Sequence, residues 1–311
     1  MVVRRGDRAT PVETDFIERF ARTPPARIAL LLLTVAIAWP LAGHAHEAFT
    51  RLRDADLRPV AAAGLLHVAM LVASAFCWRR AFRACGGVVG GGGACVRYGV
   101  GTFLNAFTPA RAGGAVRIGL FARSLHGERA LQRSAVAVLS IGAARGAAVT
   151  ILVAAAAAGG IAPSWFMAAP FALGAAAVLA HRRVGLVRTH LRKGDCGALF
   201  GWAALAAACR CGTIAVALVA VGVHSPVAAA VFGLVGLELS ALIPLAPGLA
   251  GVGGAAVAVA LSAHGVPSAT AVAGGLAFYV AEGAAGVLFG VLMTAVFVIG
   301  HTDRDVPVPV W

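Results

Sequence analysis

Residues 197–223 read GALFGWAALAAACRCGTIAVALVAVGV, an apolar run that carries one charge, Arg210. A helix of that length exceeds the ~30 Å hydrocarbon thickness of a bilayer at 1.5 Å per residue. Outward from it, comparable runs occupy 59–78, 134–160, 226–246 and 267–300, with shorter ones at 28–43, 94–110, 164–180 and 250–263. Hydrophobic residues make up 60% of the 311 and charged residues 13%, with a mean hydropathy of +0.87. A soluble domain of this length has no interior for so much apolar surface. The sequence predicts an all-α, polytopic integral membrane protein of about seven to eight transmembrane helices, plus two short broken or re-entrant segments. Its divisions are a basic segment 1–26, one transmembrane domain 27–300 with candidate halves 27–160 and 164–300, and a polar tail 301–311. The first run is expected to remain as a span, because no small-residue cleavage pattern accompanies it.

A net charge of +13 would suit nucleic acid, but its placement points to a membrane instead. Six arginines lie in residues 1–27. Arg79, Arg80, Arg83 and Arg97 follow the second run, and Arg111, Arg117, Arg123, Arg129 and Arg133 separate the third from the fourth. Arg182, Arg183, Arg188, Arg192 and Lys193 precede residue 197. Residues 161–163 and 222–226 carry no charge, and in the loop 44–58 Glu47, Asp54 and Asp56 offset three arginines. By the positive-inside rule the N-terminus and these basic segments face the cytoplasm of a bacterial-type inner membrane. That assignment requires the run 94–110 to enter and leave on one side. Trp39, Trp78, Trp165 and Trp202 near run ends read as interfacial anchors. Four of the six cysteines fall at the reducing side and two lie mid-helix, so no disulfide is expected.

The two short runs hold the polar chemistry. One ends Asn105-Ala106-Phe107-Thr108-Pro109-Ala110-Arg111-Ala112-Gly113-Gly114-Ala115-Val116-Arg117; before the other stands Pro244-Leu245-Ala246-Pro247-Gly248-Leu249-Ala250-Gly251-Val252. Each is a proline break with clustered glycines, at corresponding places in the two halves. Non-helical backbone at membrane depth survives only inside protein or beside a water-filled cavity. Paired interruptions of this kind either mark a transport site between inverted repeats or are plain Gly/Pro loops at helix ends. Arg111 and Arg117 flank the first break, where guanidinium and backbone amides together suit a phosphate. The plain alternative is a positive-inside loop that touches anionic lipid.

The Asn105–Arg117 segment resembles the N-x-x-x-P-x-x-x-G-[EG]-x-x-R signature of the lysylphosphatidylglycerol synthase transmembrane (flippase-like) family. The Pro244–Val252 segment is similar to that family's P-x-x-P-G-G-x-G-V. Two departures stand out. Gly253-Gly254 occupy the place of a usual Glu, and Ala144-Arg145 that of a usual Glu-Arg pair. The resemblance implies a stand-alone flippase-like domain without the family's soluble aminoacyltransferase domain, which residues 301–311 are expected not to supply.

Within the runs stand Arg145, Arg210, Glu238 and Glu282. Each costs roughly 2.5–3.5 kcal/mol at a helix centre, so pairing is expected. Such pairs either hold helices together or line a cavity for a headgroup. The expected substrate-binding set is therefore Asn105, Pro109, Arg111, Gly113, Gly114, Arg117, Arg145, Arg210, Glu238, Pro247, Gly248, Gly251 and Glu282. The glycines of 86–93 lack the Lys-Ser/Thr ending of a phosphate loop and read as a flexible linker. His44, His46 and Glu47 offer zinc too few ligands. Neither a catalytic constellation nor a cofactor or metal site is visible, so the reading leans away from an enzyme. The expected partners are membrane lipids, an anionic phospholipid or polyprenyl-linked substrate, and a soluble transferase as a candidate protein partner. The expected function is binding or translocation of that headgroup. The alternative is a membrane-embedded enzyme or accessory subunit in lipid or glycan synthesis.

Overall fold

The computed structural model describes residues 45–53, 55–107, 112–125, 130–161, 193–240 and 252–302. Among them stand nine helices and no strand: α1 (Ala45–Arg53), α2 (Leu57–Ala84), α3 (Gly91–Phe107), α4 (Ala112–Ala122), α5 (Ala130–Ala158), α6 (Lys193–Ala220), α7 (Pro226–Ser240), α8 (Val252–Ala263) and α9 (Ser268–Thr302). Leu57–Ala84, Ala130–Ala158, Asp195–Ala220 and Ser268–Ile299 are long and apolar enough to cross a membrane. Leu65, Leu131, Ile151, Leu205, Leu288 and Ile299 stand exposed on these helices. So much open aliphatic surface suits lipid rather than water. The expected spans at 28–43 and 164–180 lie outside the described residues.

Helices α2 and α6 form the centre and run antiparallel. The Cys77 thiol lies 3.9 Å from the Leu199 carbonyl, Phe76 stacks on Trp202 at 4.8 Å, and Leu66 packs beside Gly212. Trp78 and Trp202 thus both turn inward. The end of α2 adjoins the start of α6, and we term this the basic end. It holds Arg79, Arg80, Arg83 and Arg133, and Asp195 is the one described carboxylate there, 3.9 Å from Arg80.

At that end the chain enters a helical hairpin. The Gly87 amide donates to the Phe82 carbonyl, and the Val88 amide donates to the Ser124 carbonyl at 3.3 Å. Entry and exit therefore lie side by side. Between them α3 and α4 pack in antiparallel contact. A Cβ on Gly113 would run into the Gly101 carbonyl and come 2.6 Å from Asn105 Oδ1, so only glycine allows the approach.

Helices α7 and α8 make a second hairpin at the opposite end, where α6 stops. Phe232 stacks on His264 at 3.9 Å, a Cβ on Gly236 would come 2.7 Å from the Ala260 methyl, and Gly253 adjoins Leu237. Residues 221–225 and 264–267 line one shallow cavity at its base. Because α2 and α6 are antiparallel, the hairpins enter from opposite ends, and the described helix ends at Phe107 and Ser240 point toward the middle. Both breaks, 108–111 and 241–251, lie outside the described residues.

Of the run 226–246, expected as a span, Pro226–Ser240 forms α7, 15 residues and about 22 Å, which packs along α8, and 241–246 lie outside the described residues. Two expectations change. The basic stretch after residue 111, expected as loop, contains α4, whose apolar face packs on α3. The glycine run 86–93 is not a free linker: Arg79 Nε donates to the Val89 carbonyl at 3.0 Å, and α3 begins at Gly91.

Candidate functional site: a charge ladder at mid-depth

Four helices each bring one charge to the same depth. Arg145 sits in the middle of α5, Arg210 beyond the middle of α6, Glu238 at the inner end of α7 and Glu282 in the middle of α9. All four interrupt apolar sequence, and each finds an opposite charge, as burial demands. Arg145 Nη2 donates to Glu238 Oε1 at 3.1 Å. Arg210 Nη1 approaches the same oxygen at 3.5 Å, while its Nη2 donates to Glu282 Oε1 at 3.2 Å. The result is an alternating ladder, Arg145–Glu238–Arg210–Glu282, whose formal charges cancel. The pairing expected from sequence between these carboxylates and guanidinium groups is present.

A fifth member goes unnoticed in the sequence. His67 of α2 is 3% exposed, and its Nε2 lies 4.0 Å from Glu282 Oε1. A single histidine in an apolar run reads as ordinary core. Only the fold brings it to a carboxylate far along the chain.

The ladder is not sealed. Arg145 leaves 44% of its side chain accessible, against 19% for Arg210 and Glu238 and 27% for Glu282. A charged side chain at mid-helix with that much access borders open space along its length, while its guanidinium is held on Glu238. The first turn of α8 faces the ladder as well: Glu282 Oε2 lies 3.9 Å from where a Cβ on Gly253 would stand. A carboxylate is favoured at a helix N-terminus. From the other hairpin, Thr102 packs 3.7 Å from the Cβ position of Gly286, one turn beyond Glu282.

The remaining expected residues divide. Asn105, Gly113, Gly114 and Arg117 belong to the first hairpin. Asn105 Oδ1 is buried without a hydrogen-bond partner among the described residues, and the Gly114 Cα faces open space. Arg117, expected to flank an open break, is instead taken up by the hairpin itself. Its guanidinium lies 3.8 Å from the Tyr98 ring centre and 5.7 Å from that of Trp78, and its Nη2 donates to Thr102 Oγ1 at 3.2 Å. Pro109, Arg111, Pro247, Gly248 and Gly251 lie outside the described residues.

All six cysteines are free. Burial pushes the Cys85 thiol above its ordinary value, partly offset by Arg133, and keeps it protonated and unreactive. Among the described residues no three His, Cys, Asp or Glu side chains meet as metal ligands, and His44 lies outside them. No family model matches the chain, and no curated protein does.

Proposed function

We propose that this chain is a multi-pass, flippase-like protein of a bacterial-type inner membrane, which binds or translocates a phospholipid or polyprenyl-linked headgroup. The observation that carries this function is the ladder, placed where two hairpins from opposite ends converge. In such a protein α2 to α5 and α6 to α9 act as inverted repeats around a fixed midplane site. The basic end, with the N-terminus, faces the cytoplasm. The hairpins are re-entrant, each entered from one side. Opening one while the other stays closed gives the headgroup access from that side alone. An anionic headgroup meets Arg145 first, because that guanidinium is the least covered member of the ladder. Acyl or prenyl chains remain in lipid against the exposed aliphatic belt, so only the polar group needs a protein path.

Proteoliposomes carrying fluorescently tagged phosphatidylglycerol or a tagged polyprenyl phosphate test this. An impermeant quencher added outside destroys outer-leaflet signal at once. The remaining signal is expected to fall as inner-leaflet lipid emerges, for at least one of these probes. In Arg145→Gln vesicles the second phase is expected to slow by at least about tenfold, as loss of one charged contact would give. Vesicles with and without protein losing signal identically, for every anionic and polyprenyl probe, would exclude a translocase.

A further inference from the structure

The ladder balances two guanidinium groups against two carboxylates, and balance has a consequence for any anion entering it. A phosphate arriving alone would leave one net negative charge at mid-depth. Charge in such a place is tolerated only with compensation. One nearby group is able to supply a positive charge: the His67 imidazole, with Nε2 at 4.0 Å from Glu282 Oε1 and a buried, unpartnered Nδ1.

We infer that His67 and Glu282 form a proton-binding site, and that one proton loads together with one negative charge of a phosphate-bearing ligand. This rests on the headgroup function proposed above. The step involves only a proton transfer: a proton from water adds to whichever imidazole nitrogen lacks one. The imidazolium then presents Nε2–H to Glu282 Oε1, the same oxygen that accepts from Arg210 Nη2 at 3.2 Å. Glu282 is thereby shared between two cations, and Arg210 loses part of its hold on it. Arg210 already lies 3.5 Å from Glu238, so its guanidinium turns toward that carboxylate and competes with Arg145. One guanidinium is left without its own carboxylate and takes the phosphate. Proton plus anion returns the ladder to zero net charge.

Glu282 from α9 and Arg210 from α6 are the charged groups that face His67. Behind them lie Glu238 of α7, Arg145 of α5 and Tyr98 of α3, and Cys209 and Cys211 flank Arg210 along α6. Among them the carboxylates and guanidinium groups are mutually paired. The thiols and phenol are not cations when protonated, so the imidazole is the group able to add a positive charge.

The coupling is measured on the whole purified protein in detergent. It is titrated by calorimetry with dihexanoyl phosphatidylglycerol, and separately with inorganic phosphate, in buffers of different ionisation enthalpy. The buffer dependence reports protons taken up per ligand bound. About one proton per anion is expected, with affinity falling about tenfold per pH unit once His67 has lost its proton. In His67→Gln the uptake is expected to vanish and the pH slope to flatten, while the thermal midpoint reports that the fold survives. The wild-type proton count stands whether or not that variant folds. Uptake with either anion supports the coupling, and the anion that binds tighter identifies lipid or free phosphate as its source. Binding with no proton uptake overturns the coupling alone. Absence of binding by both anions overturns it together with the headgroup function.

Discussion

The first hairpin is closed by a cation among aromatic rings, the second by an anion at its inner end. In α3 and α4, Arg117 lies over Tyr98 and near Trp78, and Trp78, Phe82 and Phe121 pack around them with ring centres 5.2 to 5.9 Å apart. In α7 and α8 the contacts are aliphatic and small, apart from Phe232 on His264, and the polar tie is Glu238 to arginines of α5 and α6. Two segments with one pattern of proline and glycine thus differ in what holds them. The first is held largely by ring stacking and close backbone approach. The second is docked through charges that a ligand would contest, so under the proposed function the moving gate is expected there.

The largest way to break this contrast is Arg210→Ala. It strips Glu282 of its guanidinium and removes one of the two arginines on Glu238. Removing one partner of a fully buried ion pair costs about 3–5 kcal/mol, and partial exposure of this one reduces the expectation to about 2–3 kcal/mol. The thermal midpoint in detergent checks it. Arg210→Leu combined with Glu282→Leu is expected to lose less than Arg210→Ala alone, since no unpaired carboxylate remains. A double variant worse than the single would mean that the ladder itself stabilises the fold.

A smaller effect separates the hairpins sterically. Valine at Gly113 meets the Gly101 carbonyl and the Asn105 amide nitrogen, 2.7 Å from the Cβ position, both backbone groups that cannot turn away. Valine at Gly236 meets the Ala256 carbonyl at 2.8 Å and the Ala260 methyl at 2.7 Å. Overpacking costs about 1–3 kcal/mol, and Gly113→Val is expected at the upper end of that range. Equal shifts in unfolding midpoint for the two would remove the argument that the first hairpin is the more rigid.

Much of this is legible in the sequence, for a physical reason. A charge inside an apolar run is expensive, so Arg145, Arg210, Glu238 and Glu282 announce a pairing site without any knowledge of which helices meet. The short runs 94–110 and 250–263 likewise correspond to α3 and α8. Helix α4 stays hidden because Arg117 and Arg123 give residues 112–122 the character of a charged loop. Its arginine is compatible with a packed helix only once Tyr98 and Trp78 supply aromatic faces, and sequence spacing does not reveal those. For the run 226–246 the described helix accounts for Pro226–Ser240, and 241–246 lie outside the described residues. His67 escapes because its partner, Glu282, is remote in sequence and near only in the fold.

The finest test concerns Arg117, where the sequence reading and the packing disagree. Its place beside the first break suits a phosphate, whereas its guanidinium is spent on Tyr98, Trp78 and Thr102. Arg117→Met keeps an unbranched apolar stem and discards the charge and the hydrogen bond. If the residue only closes the hairpin, stability is expected to fall by about 1 kcal/mol, the scale of a partly buried cation–π contact. Lipid emergence in the quencher assay should then stay within about twofold of wild type. Arg117→Lys sharpens the result, because it restores a cation without the planar group that stacks and donates in fixed directions. A loss of transport in Met that Lys repairs, at unchanged stability, would make Arg117 a headgroup ligand. The two hairpins would then be alike in function although they differ in packing, and the gate could no longer be assigned to the second alone.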